Sequence, residues 1–224
     1  PGAERDVMTF KGEPADWLAG ARRIASLPSP VHCVLRLPSG ALGVIAGEPR
    51  TASLVDVGNG KVSAWDIAPA AYEAKPETIP DPMHVHCPDV DAAGRMLFTR
   101  IDGAGEAVSL LEPGRAPVRL TTGDMPHWAP SGDTFALRID NSHVGTYDVH
   151  RRALTMLPEV AADGIVLGVG FEPGGDRLVV RFYDGHRGYG VARFDLPRRA
   201  LLERVFVVDP RHEGFVRLRL GPVD

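Results

Sequence analysis

The sequence predicts an all-β chain, a β-propeller of about five four-stranded blades. Three observations lead there. A turn glycine recurs at Gly40, Gly94, Gly132 and Gly175, each time ahead of a short apolar-rich run. Each run continues into a second strand, a polar turn and a last strand. Glycine (25 residues) and proline (20 residues) make up about a fifth of the 224 residues, which suits many tight turns. Self-similarity near 40 residues, with four short strands per unit, is the sequence mark of propeller blades.

The best-defined unit is Pro126–Asp140, which reads as strand, Pro-Ser-Gly turn, strand. Aligned on the turn glycine, Arg100, Arg138 and Arg181 each fall six residues later, followed by an apolar residue and an Asp-Gly or Asp-Asn turn. The unit beginning at Gly40 lacks this arginine. The next strands are Val108–Leu111, Val144–Val149, Val191–Leu196 and, in the first unit, Ala52–Val57. Closing strands follow after Asn59-Gly60, Pro113-Gly114, His150–Arg152 and Pro197–Arg199. Alternation of apolar and polar residues between such turns marks half-buried antiparallel strands.

The phrase Pro126-His127-Trp128-Ala129-Pro130-Ser131-Gly132 resembles the P-x-W-S-P-D-G signature of TolB-like propeller repeats, with Ser131 where that family has Asp. Phe171–Gly175 and Val90–Gly94 are similar, degenerate versions. The resemblance covers about Val31 to Val207. It implies the fold and says little about activity, because blades of this family occur in interaction scaffolds, peptidase-gating domains and other enzymes alike.

Taken in order, the chain starts with a segment, Pro1–Pro30, that is harder to read. Ala15–Leu27 has helical spacing, but Ala21–Leu27 also suits the outer strand of an incomplete blade, which is the favoured reading. Four blades follow at about 31–68, 85–122, 125–158 and 165–207. A proline-rich insert, Pro69–Pro82, separates the first two, and inserts in repeat proteins tend to gather on a binding face. The tail Glu213–Leu220 alternates as one strand. Pairing it with the N-terminal segment would close a fifth, composite blade within one domain spanning 1–224. The alternative is an incomplete propeller finished by residues beyond this chain or by a partner.

The net charge of −4 argues against broad nucleic-acid or anionic-membrane binding. No apolar run reaches the roughly 18 residues a membrane span needs. Arginine in great excess over lysine suggests a GC-rich bacterial genome. Cys33 and Cys87 both sit in Val-His-Cys triplets, seven residues before their turn glycines. Equivalent positions on different blades are expected to lie too far apart to bridge, so both are read as free, buried thiols. That reading and the lack of a secretory signal pattern point to the cytoplasm. Because the chain begins at Pro1, a removed signal peptide would place it in the periplasm instead.

Three sets of residues stand out. Asp81-Pro82-Met83-His84-Val85-His86 matches a D-x-H-x-H pattern in which His84 and His86, two apart on a strand, face the same way and could share a metal ion. The bland reading is a solvated histidine pair. Arg100, Arg138 and Arg181 would form a positive ring for a carboxylate or phosphate if they faced a central channel. The favoured alternative is local pairing with Asp102, Asp140 and Asp184. Tyr183, Arg187 and Tyr189 are expected contact residues, since Tyr and Arg are enriched at interface hot spots. No G-x-S-x-G, HExxH or phosphate-binding glycine loop is present. The reading therefore leans away from catalysis. It expects no cofactor and a non-catalytic scaffold for another protein or for a further domain of the same chain. The competing class is an enzyme or small-ligand or metal-binding propeller with its site in the channel mouth. A third, a propeller that gates a peptidase, needs a catalytic domain not found in this sequence.

Overall fold

A computed structural model describes residues 6–9, 22–47, 51–67, 87–102 and 105–206. Every regular element among them is a β-strand, and the fold is an all-β propeller. The strands form one two-stranded sheet, β1 (Asp6–Thr9) and β2 (Arg22–Ser26), and four four-stranded antiparallel sheets. In chain order these comprise β3 (Val31–Arg36), β4 (Leu42–Ala46), β5 (Thr51–Val55) and β6 (Val62–Ala64); β7 (Asp89–Val90), β8 (Met96–Asp102), β9 (Gly105–Leu111) and β10 (Val118–Thr122); β11 (Asp124–Trp128), β12 (Thr134–Arg138), β13 (Val144–Asp148) and β14 (Ala153–Met156); and β15 (Gly164–Phe171), β16 (Arg177–Asp184), β17 (Gly188–Asp195) and β18 (Ala200–Phe206). In each sheet consecutive strands are neighbours, an up-and-down meander. The stretch read as an outer strand near Ala21–Leu27 contains β2. The insert Pro69–Pro82, His84, His86 and the tail Glu213–Leu220 lie outside the described residues, and so does the proposed terminal closure.

The turn glycine explains why the repeat reads so clearly. Gly40, Gly94, Gly132 and Gly175 all have positive φ, between 77° and 83°. That region strains any residue with a Cβ. Each turn is closed by two backbone bonds, one from the glycine amide to the carbonyl three residues earlier and one from that earlier residue's amide to a carbonyl one or two residues past the glycine. In the third sheet Ala129 N donates to Thr134 O at 2.8 Å and Gly132 N to Ala129 O at 2.9 Å. The bonds Leu37–Ala41 and Gly40–Leu37, Asp91–Arg95 and Gly94–Asp91, and Glu172–Arg177 and Gly175–Glu172 repeat the arrangement.

The turn before the last strand of each sheet also needs one left-handed residue. The first two sheets use Gly60 and Gly114, both at φ 72°. The last two use Arg152 at 53° and Arg199 at 51°. A non-glycine residue there costs about 1–2 kcal/mol, part of which glycine gives back in chain entropy. Both arginines are exposed. We therefore expect Arg152→Gly and Arg199→Gly each to raise stability by about 0.5 kcal/mol. Denaturant midpoints lower than wild type would contradict this.

The chain divides into two compact units, Pro1–Trp128 and Ala129–Asp224. In the first, Val7, Ala25, Leu27, Val44, Ala46 and Val55 pack together, so the β1–β2 sheet shares a core with the first four-stranded sheet. Trp65 and Val90 serve two clusters, one around Cys33, Leu35 and Ile45 and one around Met96 and Phe98. The second unit centres on Leu178, Val180, Phe182, Ala192 and Phe194, which alternate along β16 and β17.

The cysteine expectation is corrected by the structure. Cys33 and Cys87 form a disulfide, with Cα atoms 5.5 Å apart. The reason is geometric. β3 and β7 are the first strands of consecutive sheets and lie beside one another. Positions at the same distance from the turn glycine, Cys33 on β3 and Cys87 two residues ahead of β7, therefore meet instead of diverging.

Candidate functional site

Among the described residues of the second unit, the hairpin joining β16 and β17 carries an exposed aromatic surface. Asp184 opens its turn, and its Oδ1 accepts the amides of His186 and Arg187 at 2.9 and 3.0 Å. The His186 amide is the main reason the Asp184 carboxyl titrates below its ordinary value. Full register from Arg177↔Asp195 to Asp184↔Gly188 places Tyr183 opposite Tyr189 on one face. Their rings meet edge-on, 5.1 Å between centroids. Arg187 stacks over the Phe206 ring at 5.3 Å, and Phe206 packs edge-on against buried Phe182 at 5.5 Å. The three residues singled out from sequence are thus brought to one hairpin tip, and β18 supplies a support, Phe206, that sequence reasoning did not find.

That face extends sideways. Ile165 pairs with Tyr183 across β15 and β16, and Val205 pairs with Val191 across β17 and β18. Tyr183, Tyr189, Ile165 and Val205 remain 37%, 42%, 41% and 52% exposed. Arg193 bounds the patch by bridging Glu172 and Glu203 at 2.7 Å each. The patch thus has an aromatic and aliphatic centre with charged residues at one edge.

The three repeat arginines differ in their surroundings. Arg138 is buried, and its Nη1 donates to Val166 O at 3.2 Å. Arg181 is exposed and lies across Gly168, where an added Cβ would meet its Nη2 at 2.8 Å. These two converge on β15, whose register against β16 shifts between Val166 and Gly168. Arg100 is exposed and belongs to the other unit. Asp140 and Asp184 both cap their own turns through backbone amides.

In the first unit a cavity of about 600 Å³ opens between the first two four-stranded sheets. Leu37, Trp65, Ile67, Val90, Met96 and Leu111 supply its apolar wall, with Glu112 paired to Arg115 at the rim. Nearby, Asp89 Oδ2 accepts the Trp128 amide at 2.7 Å and lies 3.0 Å from His127 Nδ1. Arg95 pairs with Asp91 at 2.6 Å and stacks over Trp128 at 4.8 Å. The tryptophan of the repeat motif thus locks the second sheet to β11.

The hydrogen bond that His127 donates to the Asp89 carboxylate raises the His127 pKa above 6.5. Burial opposes this, and the carboxylate charge adds to it. A raised folded-state pKa means the contribution is fully present below pH 6.5 and is lost as pH rises through the folded value. We expect NMR titration of His127 to give a pKa above 6.5 that falls in Asp89→Asn. An unchanged value in that variant would refute the pairing.

Four-stranded meanders repeated in this way define a β-propeller, and the solved structures it resembles make it TolB-like in fold. It matches a protein from Agrobacterium tumefaciens assigned as TolB at TM-score 0.61 and 16% identity, over 84% of this chain and 65% of that one. Hydrazine synthase from Kuenenia stuttgartiensis matches at 0.55 and 16%, over 78% of this chain and 48% of that one. An oligogalacturonate lyase in complex with manganese matches at 0.55 and 12%, over 96% of this chain and 62% of that one. The chain thus spans less than two thirds of each of these proteins. No protein-family model matches the sequence. No curated protein matches it either.

Proposed function

We propose that this propeller is a non-catalytic interaction module that binds another protein, or a further domain of a longer chain, through the β16–β17 hairpin and the sheet face beside it. The observation that carries this is the exposed Tyr183–Tyr189 pair, continuous with Ile165 and Val205, with Arg187 stacked on Phe206 at the same hairpin tip. Tyr and Arg on rigid supports contribute large contact area at small entropic cost. The mechanism is surface complementarity, with no bond made or broken.

The test is affinity capture from the native host with the purified chain as bait, beside Tyr183→Ala, Arg187→Ala and Tyr189→Ala. We expect one stoichiometric protein partner and at least a tenfold loss of affinity in one of the tyrosine variants. Full retention of binding by all three variants would remove the hairpin from the interface. The competing reading, a ligand or metal site built from Arg100, Arg138 and Arg181 or from His84 and His86, is motivated by the D-x-H-x-H pattern and by a fold shared with a lyase. Metal analysis separates the two: a stoichiometric ion lost in His84→Ala would favour that reading.

A further inference from the structure

We propose that the Cys33–Cys87 disulfide is a redox-controlled fastener of the apolar cavity between the first two four-stranded sheets, opened by a dithiol. Three observations carry this. The bridge ties β3 to the residue two places before β7. β7 itself is held to β8 by a ladder of only two residues, Asp89↔Leu97 and Val90↔Met96, whereas β3 pairs with β4 from Val31 to Arg36. Val90 and Trp65 line opposite walls of the cavity, and both pack against the cluster that holds Cys33. Asp89 ties β7 to β11 on its far side, so the disulfide is the covalent tie that holds this weaker wall to β3, and its loss loosens Val90 from the Cys33 cluster.

The two sulfurs differ in access. Cys33 is 3% exposed and lies in the core, whereas Cys87 is exposed. A dithiol, small or borne by a thiol–disulfide oxidoreductase, attacks as its thiolate at Cys87 Sγ. The S–S bond breaks, Cys33 leaves as a thiolate, and a mixed disulfide forms on Cys87. The second thiolate of the dithiol then attacks its own sulfur in that bond and releases Cys87. Two electrons pass from the dithiol, which becomes a disulfide, and two protons end on the cysteines. The closed form suits an oxidising compartment, where such bridges persist.

The experiment uses the full chain and dithiothreitol, with thiol trapping by iodoacetamide and amide hydrogen exchange read by mass spectrometry. We expect no trapped thiol before treatment and two afterwards. Exchange in peptides covering 61–67 and 87–97 should then rise at least tenfold, with peptides from 129–206 unchanged. Cys33→Ala/Cys87→Ala should show the faster exchange without dithiothreitol and no response to it. Unchanged exchange at 61–67 and 87–97 after full reduction would overturn the proposal. Two free thiols in the air-oxidised protein, or equal acceleration throughout the chain, would do the same. The wild-type titration alone decides the matter if the double variant fails to fold.

Discussion

Replacing Cys33 and Cys87 together by alanine is expected to lower stability by about 4 kcal/mol. The bridge joins residues 54 apart in sequence. Fixing two points that far apart removes unfolded-state entropy equivalent to about 4 kcal/mol at 25 °C in the chain-entropy account. Other terms pull in both directions. Cys33 is buried among Leu35 and Ile45, so alanine also leaves a small void. Residual structure in the unfolded chain trims the entropic gain. Domains of this kind have total stabilities of about 5–15 kcal/mol, so the loss is large enough to decide whether the first unit stays folded on warming. Guanidinium unfolding of the oxidised wild type and of the double variant measures it. Coincident curves would mean that the bridge only decorates a contact already made by packing.

Phe182→Ala is expected to cost about 3–5 kcal/mol, the range for removing a fully buried aromatic ring. Phe182 is 1% exposed and lies at the centre of the second unit's core. Its ring fills the space above Gly190 on the neighbouring strand, where an added Cβ would sit 2.5 Å from Cζ. No other side chain can collapse into that space from Gly190 itself. The same ring supports Phe206, which in turn carries Arg187. Partner binding should therefore weaken together with stability in Phe182→Ala. Tyr183→Ala should weaken binding while costing about 1 kcal/mol of stability, less than Phe182→Ala, since Tyr183 is 37% exposed and its ring contact is with the similarly accessible Tyr189. Denaturation and capture assays on both variants separate support from contact. A Phe182→Ala protein of wild-type stability would contradict the core assignment.

The strands and turns were legible because they follow from short-range physics. Alternation of apolar and polar residues along β16 and β17 declares which face is buried. A glycine at each Gly132-like position declares a turn that needs positive φ. Both signals are read within ten residues, and four repetitions of them define a propeller. The grouping of Tyr183, Arg187 and Tyr189 was legible for the same reason, since a hairpin fixes its own register.

Contacts between strands distant in sequence were decided by tertiary structure alone. Cys33 and Cys87 meet because first strands of adjacent sheets run side by side, a fact no local pattern encodes. Arg138 and Arg181 occupy the same place in the repeat, yet one is buried against Val166 O and the other lies exposed over Gly168. Both meet β15 where its register against β16 shifts, between Val166 and Gly168, and Val-Leu-Gly in the sequence does not announce that shift. Phe206 reaches Arg187 only after β18 has folded back along β17. Periodicity along the chain thus determined the sheets. Which side chains touch across them was determined by packing, because burial and pairing depend on neighbours that sequence spacing does not specify.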